Sequence, residues 1–392
     1  MIERKSLFAA LLPPVALLAS CGSAATGDNA PAPTPLAGDD AFDGEFSISE
    51  HGTFDEPWAA AFGPGTQALF ITEQEGTIKV YDAATGNTYP VSGAPRVDYG
   101  GQGGLGDIAF LDSEAADEVG TRTIYLTWAE AGDGDTRGAV MGRGQLVCET
   151  LSNCRIDDLD VIWRQQPKVT GRGHYSHRIA ISPDERYLFL ASGERQKEEP
   201  AQDLSNNLGA VLRLNLDGSP AAGNPFAGRG SPTDEIWTYG NRNILGLAFD
   251  NNGRLWAAEH GPAGGDEINL IQRGENYGWP RVSDGDHYDG KPIPDNSLDD
   301  PYTDPVVGWT PSVAPGDIIV YDGDVFDAWR GDIIMANLRA QNLMRIAVDE
   351  GTAQHVATFE MGERIREIVQ GPDGAIWVLE DGDNGRLLRL TP

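Results

Sequence analysis

Lysine is nearly missing: the 392-residue chain has five, against 24 arginines. Positive charge as a whole is short, with 29 Lys and Arg facing 60 Asp and Glu for a formal charge of −31. That field repels a phosphate backbone and excludes nucleic acid as a partner. It also means that an anionic ligand needs a local arginine cluster, whereas divalent cations are attracted nearly everywhere. Cysteine is scarce too, at three residues. There is no Cys-x-x-Cys, no Cys/His spacing of a zinc site and no haem-attachment Cys-x-x-Cys-His, so no electron acceptor is visible in the sequence. Long hydrophobic runs are lacking, and the apolar stretch Leu7–Ala19, interrupted by Pro13 and Pro14, is too short to span a membrane. No segment after residue 43 sustains a 3.6-residue apolar period, which excludes a helical bundle. What is present is 40% hydrophobic residues, enough for a sizeable core, with 49 Gly and 25 Pro that mark many turns.

Residues 1–20, MIERKSLFAALLPPVALLAS, have a basic start at Arg4 and Lys5 followed by the apolar run, the pattern of a secretion signal. The run ends Leu18-Ala19-Ser20-Cys21, which resembles the lipobox of bacterial lipoproteins. That resemblance implies a lipidated Cys21 at the mature N-terminus and a chain anchored on the periplasmic side, with membrane contact only through the lipid. An ordinary signal peptide with an incidental cysteine is the alternative. Gly22, where Asp would signal inner-membrane retention, points to the outer membrane. Residues 21–43 are small, polar and Pro-rich, and read as a flexible tether before a domain over 44–392. Cys148 and Cys154, six apart, form a small disulfide loop in an oxidising compartment, or else two free thiols on adjacent strands.

A strand–turn–strand unit recurs six times, at 58–82, 104–130, 177–218, 244–271, 317–349 and 365–390. Each has an apolar strand, a Pro/Asp/Gly turn and a second strand rich in Leu, Tyr or Trp, then a third. This predicts an all-β fold, a six-bladed β-propeller of four-stranded antiparallel blades. Two packed β-sandwiches are the competing architecture. Residues 46–49 are expected to close the ring by pairing into the last blade. Insertions near 131–173, 194–208 and 272–316 are expected to be loops gathered over one face, where a site belongs.

Chemistry concentrates in three places. Residues 235–280 place Arg242 and Asn243 at the loop end of a strand, then Glu259-His260-Gly261-Pro262, Gly264-Gly265 and Asp266-Glu267. A Gly/Pro loop beside carboxylates offers the hard oxygens that Ca²⁺ prefers, although a solvated turn has the same composition. Residues 171–184 place His174 and His177 just before a strand, where a histidine serves as general base or simply as a hydrogen-bonding residue. Arg364 and Arg366 share one strand face and, with Arg339, offer forks for a carboxylate ligand. Salt bridges to the many acids would explain the same arginines.

Together these segments resemble the PQQ-dependent soluble aldose (glucose) dehydrogenases over about residues 50–390. The most specific stretches are 201–226, 235–280 and 362–374. That family is a six-bladed propeller that uses pyrroloquinoline quinone (PQQ) and calcium. The resemblance implies oxidation of an aldose at its anomeric carbon to a lactone, by hydride transfer to the quinone. It makes His174 the catalytic base and Arg242, with Asn243, the pair touching the quinone. Gln102 in GGQGGLGDIAF would contact cofactor and sugar. Arg339, Arg364 and Arg366 would hold the cofactor's carboxylates. Backbone carbonyls of Gly261 and Pro262 would bind the cofactor calcium, and Glu267 with Tyr277 a further calcium. Both monomers and homodimers occur in the family.

Some positions depart from the family pattern. His177 stands where a glycine is usual, Ile244 follows Asn243 in place of proline, and Glu194 replaces a common Asp. These bear on which sugar is used. Two other functions compete on the same scaffold. A calcium-dependent lactone hydrolase needs acids and Asn converging on a central metal and has no use for the three arginines. A non-catalytic propeller that binds sugar or protein needs neither His174 nor the arginines.

Overall fold

A computed structural model describes residues 46–392. The signal segment, Cys21 and the tether up to residue 43 lie outside the described residues. Six four-stranded antiparallel blades follow one another. Blade 1 is Pro57–Phe62, Ala68–Glu73, Thr77–Asp82 and Asn87–Ser92. Blade 2 is Leu105–Phe110, Thr121–Ala131, Arg137–Thr150 and Asn153–Arg164. Blade 3 is Ser176–Ile181, Tyr187–Ser192, Ala210–Asn215 and Ile236–Tyr239. Blade 4 is Ile244–Phe249, Leu255–Glu259, Asp266–Ile271 and Val307–Trp309. Blade 5 is Pro315–Val320, Ile333–Asn337, Asn342–Asp349 and Thr352–Glu360. Blade 6 is Ile365–Gln370, Ile376–Glu380 and Gly385–Thr391, completed on its outside by the N-terminal strand Ser47–Phe54.

The ring is closed as the sequence predicts: Ser47–Phe54 pairs antiparallel with Gly385–Thr391, from Ser47 opposite Thr391 to Phe54 opposite Gly385. The innermost strands neighbour one another in turn, and Ile365–Gln370 returns to Pro57–Phe62. Blades 1 and 2 also join at their outer edges through a short parallel pairing, Val91 with Cys154 and Ser92 with Arg155. The cysteines do form a disulfide, Cys148–Cys154, across the tip of the long hairpin of blade 2.

The expected loop at 131–173 is mostly not a loop. Residues 137–164 are two long paired strands whose inward residues Val140, Leu146, Cys148, Ile156 and Trp163 are buried. The Asp157-Asp158-Leu159-Asp160 run hides this alternation in the sequence. Segments 194–208 and 272–306 are mostly the loops expected, while residues 307–309 form the outer strand of blade 4 and Pro315 begins blade 5.

The core is divided, with one apolar cluster between each pair of neighbouring blades. Both faces of a blade are therefore covered. That is why second strands such as Ala68–Glu73, Ile333–Asn337 and Ile376–Glu380 are buried throughout, while the outer Thr352–Glu360 is not. At the centre the inner strands bring charge together instead. Arg178 of blade 3 meets Asp107, Asp317 and Glu367 of blades 2, 5 and 6, all buried.

One arginine among three carboxylates is an acid-rich balance. Burial, only partly opposed by Arg178, pushes Glu367 up to about 7 and Asp317 well above the usual carboxylate range, and raises Asp107 as well. A carboxyl whose folded pKa is raised contributes stability that is full below its unfolded value and is lost as pH rises through the folded one. For Glu367 that window runs from 4.5 to about 7. Thermal melting should therefore show a decline from pH 5 to pH 8, and Glu367→Gln should flatten it. An unchanged slope in that variant would remove Glu367 from the account.

Candidate active site

The loops at one end of the ring form a cavity of about 340 Å³. Its lining includes the rings of Trp58, Tyr175 and His177 with Leu245, and the polar side chains of Gln102, Asn243, Arg364, Arg366, Glu56 and Asp381. The size lies in the ~300–1,000 Å³ range of small-molecule and cofactor sites. Beside it is a recess of about 140 Å³ lined by His174, Glu194, Glu198, Arg242, Trp279 and Tyr288, among others.

His174 sits where the chain enters blade 3 in an unusual conformation, with φ of +49° at His174, +63° at Ser176 and +79° at His177. Gly193 packs against the His174 carbonyl so closely that a Cβ there would lie 2.1 Å from its oxygen. The Gln102 side-chain oxygen accepts the His174 backbone N–H at 2.6 Å. The imidazole Nδ1 is bonded to Glu194, a carboxylate that also accepts the backbone N–H groups of Lys197 and Glu198. Burial pushes Glu194 up, but the bond to His174 and the two N–H donors outweigh it and hold it below its ordinary value. Burial drives His174 down from 6.5 despite Glu194, so the imidazole is neutral with Nδ1 as the bonded donor and Nε2 as the acceptor.

Arg242 stands across the recess. Its guanidinium donates to the His260 carbonyl at 3.0 Å and to the Tyr288 hydroxyl at 3.2 Å. The turn Arg242-Asn243 is held by a group the sequence reading did not assign. One oxygen of buried Glu259 accepts both backbone N–H groups, and the other takes Asn241 Nδ2 at 3.0 Å. Ile244 is buried and pairs with Glu259, so this carboxylate supplies the rigidity that a proline would have supplied. Asn243 Oδ1 accepts the Ser176 N–H at 3.2 Å and so ties the two halves of the site.

Arg364 and Arg366 do point together. They line the cavity, beside Glu56, and share a single carboxylate, Asp381, at 2.8 and 2.7 Å, as the salt-bridge reading expects. Arg339 is not among the cavity's lining residues; it is exposed on the adjacent turn and, among the described residues, makes no ion pair. Asp381 follows a blade-6 strand as one acid among many, so the sequence carried no signal for it.

A third recess of about 10 Å³, room for about one ion or water, is lined by Gly261, Gly265, Glu259, Glu267 and Tyr277. Pro262 faces the His174 recess instead. Gly264 and Gly265, with φ of +111° and +67°, make the tight loop possible. Asp266 braces it by accepting Gly261 N–H at 2.9 Å and the N–H groups of Val313 and Ala314. Among the described residues Glu267 makes no ion pair, although Arg242 lines the same recess. Burial first, then Glu259, Asp284 and Asp266, push it well above the usual carboxylate range. The Tyr277 hydroxyl is already committed, donating to Leu270 O and accepting Gln272 N–H, so it is a wall of this recess and not a free ligand. Among the described residues no three His, Cys, Asp or Glu side chains converge as a metal cage.

An acid–base pair facing an arginine, beside a cavity with Arg364 and Arg366 in its lining, makes this an enzyme built on a propeller. Comparison gives the class its name. Residues 54–389 match the Glucose / Sorbosone dehydrogenase family, and the chain belongs to that family. It is 36% identical to the aldose sugar dehydrogenase YliI of Escherichia coli (strain K12) over 343 residues, covering 86% of this chain and 90% of that one. The crystal structure of the soluble aldose sugar dehydrogenase of Escherichia coli in the apo-form superposes with a TM-score of 0.82 at 33% identity, covering 88% of this chain and 99% of that one. The PQQ-bound aldose sugar dehydrogenase of Streptomyces coelicolor gives 0.70 at 28% identity, covering 88% and 98%. The chain is a sugar dehydrogenase, an oxidoreductase.

Proposed function

We propose that the protein oxidises the anomeric carbon of aldoses to lactones with PQQ and Ca²⁺, as an exported, lipid-anchored enzyme. The observation that carries this reading is the contact of two compartments. The His174 recess, sized for one sugar ring, adjoins a cavity with aromatic side chains and Arg364 and Arg366 in its lining. Aromatic rings plus guanidinium groups suit a planar aromatic polycarboxylate such as PQQ. Glu267, half-buried with no ion pair among the described residues, and the Gly261 loop suit a hard cation. Bound there, PQQ would supply the hydride acceptor and calcium would polarise its reacting carbonyl.

The chain's own groups supply the rest. His174 Nε2 takes the proton of the anomeric hydroxyl while hydride leaves the same carbon, so the C–O bond becomes the lactone carbonyl. The Glu194 carboxylate stabilises the imidazolium that results. Arg242, fixed by the His260 carbonyl and Tyr288, would place positive charge beside the reacting carbonyl of a bound quinone. Gln102 couples the cavity to the His174 backbone.

The test is reconstitution of residues 22–392 with PQQ and Ca²⁺, following dye reduction across a panel of aldoses. Activity that requires both additions supports the reading. Failure to bind PQQ would transfer the weight to a non-catalytic surface propeller. The hydrolase is disfavoured because the acids at the ring centre are engaged with Arg178.

A further inference from the structure

His177 is an expensive residue for its place. Its φ of +79° lies in the region where only glycine is unstrained. Both ring nitrogens are buried with no hydrogen-bond partner. Burial, with Arg195 and Arg178 nearby, drives its pKa down to about 3, so the ring is neutral at any working pH. A glycine would carry none of these penalties. Strain of this kind persists where a side chain has a task.

The ring's surroundings show what that task is. His177 lies nearly parallel to Tyr175, with centroids 5.2 Å apart and planes 12° apart. Arg195 stacks on Tyr175, with its guanidinium carbon 3.6 Å from the ring centroid. Trp58 meets His177 edge-on at 5.8 Å. Trp58, Tyr175 and His177 all line the 340 Å³ cavity. Both nitrogens are sealed off, so the contact open to the imidazole there is through ring carbon and not a hydrogen bond.

We propose that His177 is a positioning residue, an aromatic ring in the cavity lining against which the planar cofactor rests. The inference depends on the proposed function, because it concerns the same cavity.

The test is PQQ binding to the full chain with Ca²⁺, read by quenching of tryptophan fluorescence, with wild type, His177→Gly and His177→Phe compared. His177→Gly should weaken binding about tenfold, the scale of one lost aromatic contact. His177→Phe keeps the ring without the nitrogens and should bind within about threefold of wild type. Equal binding by wild type and His177→Gly would overturn the inference while leaving the enzyme reading intact. Binding by His177→Phe as weak as that of the glycine variant would also overturn it, by assigning the role to the nitrogens. Absence of PQQ binding in wild type would instead remove the cofactor reading, and this inference with it.

Discussion

Arg178→Met is expected to lower stability by about 3–5 kcal/mol, the range for breaking a buried ion pair by removing one partner. Against a total of about 5–15 kcal/mol for a folded domain, that threatens the fold itself. The guanidinium donates to the Leu245 carbonyl at 2.5 Å and to the Gly316 carbonyl at 3.0 Å. It pairs with Glu367 at 2.7 Å and with Asp107 and Asp317 at 3.5 Å each. Its carbon also lies 4.4 Å from the Trp58 ring centroid. Among the described residues no other base pairs with these carboxylates, so methionine would leave three acids of three blades facing one another. Denaturant titration of the variant should show a clearly lower midpoint, least reduced at acid pH where the carboxyls are protonated. A midpoint unchanged at pH 7 would mean that the ring centre reorganises around the loss.

The same cluster shows why the sequence revealed the blades but not their centre. Repeated strand–turn–strand units are local, and the N-terminal strand could be assigned because a propeller must close. Apolar alternation likewise predicts the inter-blade clusters. Asp107, Arg178, Asp317 and Glu367 are spread over 260 residues, and nothing local distinguishes them from the other charges of an acidic chain. Only the ring geometry makes them neighbours. The long blade-2 hairpin failed for a different reason, because acidic residues on its solvent side masked the period.

The site was legible in proportion to how far its residues lie together in sequence. His174, Arg242-Asn243 and Arg364/Arg366 sit in short segments of unusual composition, and all reach the cavity or the recess beside it. Glu259 and Asp381 act at a distance, one clamping a turn and the other sharing two arginines, and such roles need coordinates. Resemblance placed Arg339 and Tyr277 as ligands; the structure leaves Arg339 exposed and outside the cavity lining, and commits the Tyr277 hydroxyl to the backbone.

His174→Ala should abolish turnover while leaving PQQ binding intact, because His174 is absent from the lining of the larger cavity. A positioned general base contributes about 10²–10⁴-fold, and the nearest carboxylate, Glu194, is tied to two backbone N–H groups. The wild-type pH profile of kcat/KM should carry the signature of the same residue. Since burial places the His174 pKa below 6.5, the base form persists at pH 6.5 and activity declines only at lower pH. Glu194→Gln removes the interaction that opposes that depression, so its acid limb should move lower still while kcat falls. Three outcomes would remove His174 from the role of base: near-wild-type turnover in the alanine variant, an acid limb above 6.5, or a limb in Glu194→Gln that stays where it is. The Glu194 measurement is the more discriminating, because a merely structural carboxylate would lower activity at every pH without moving the limb.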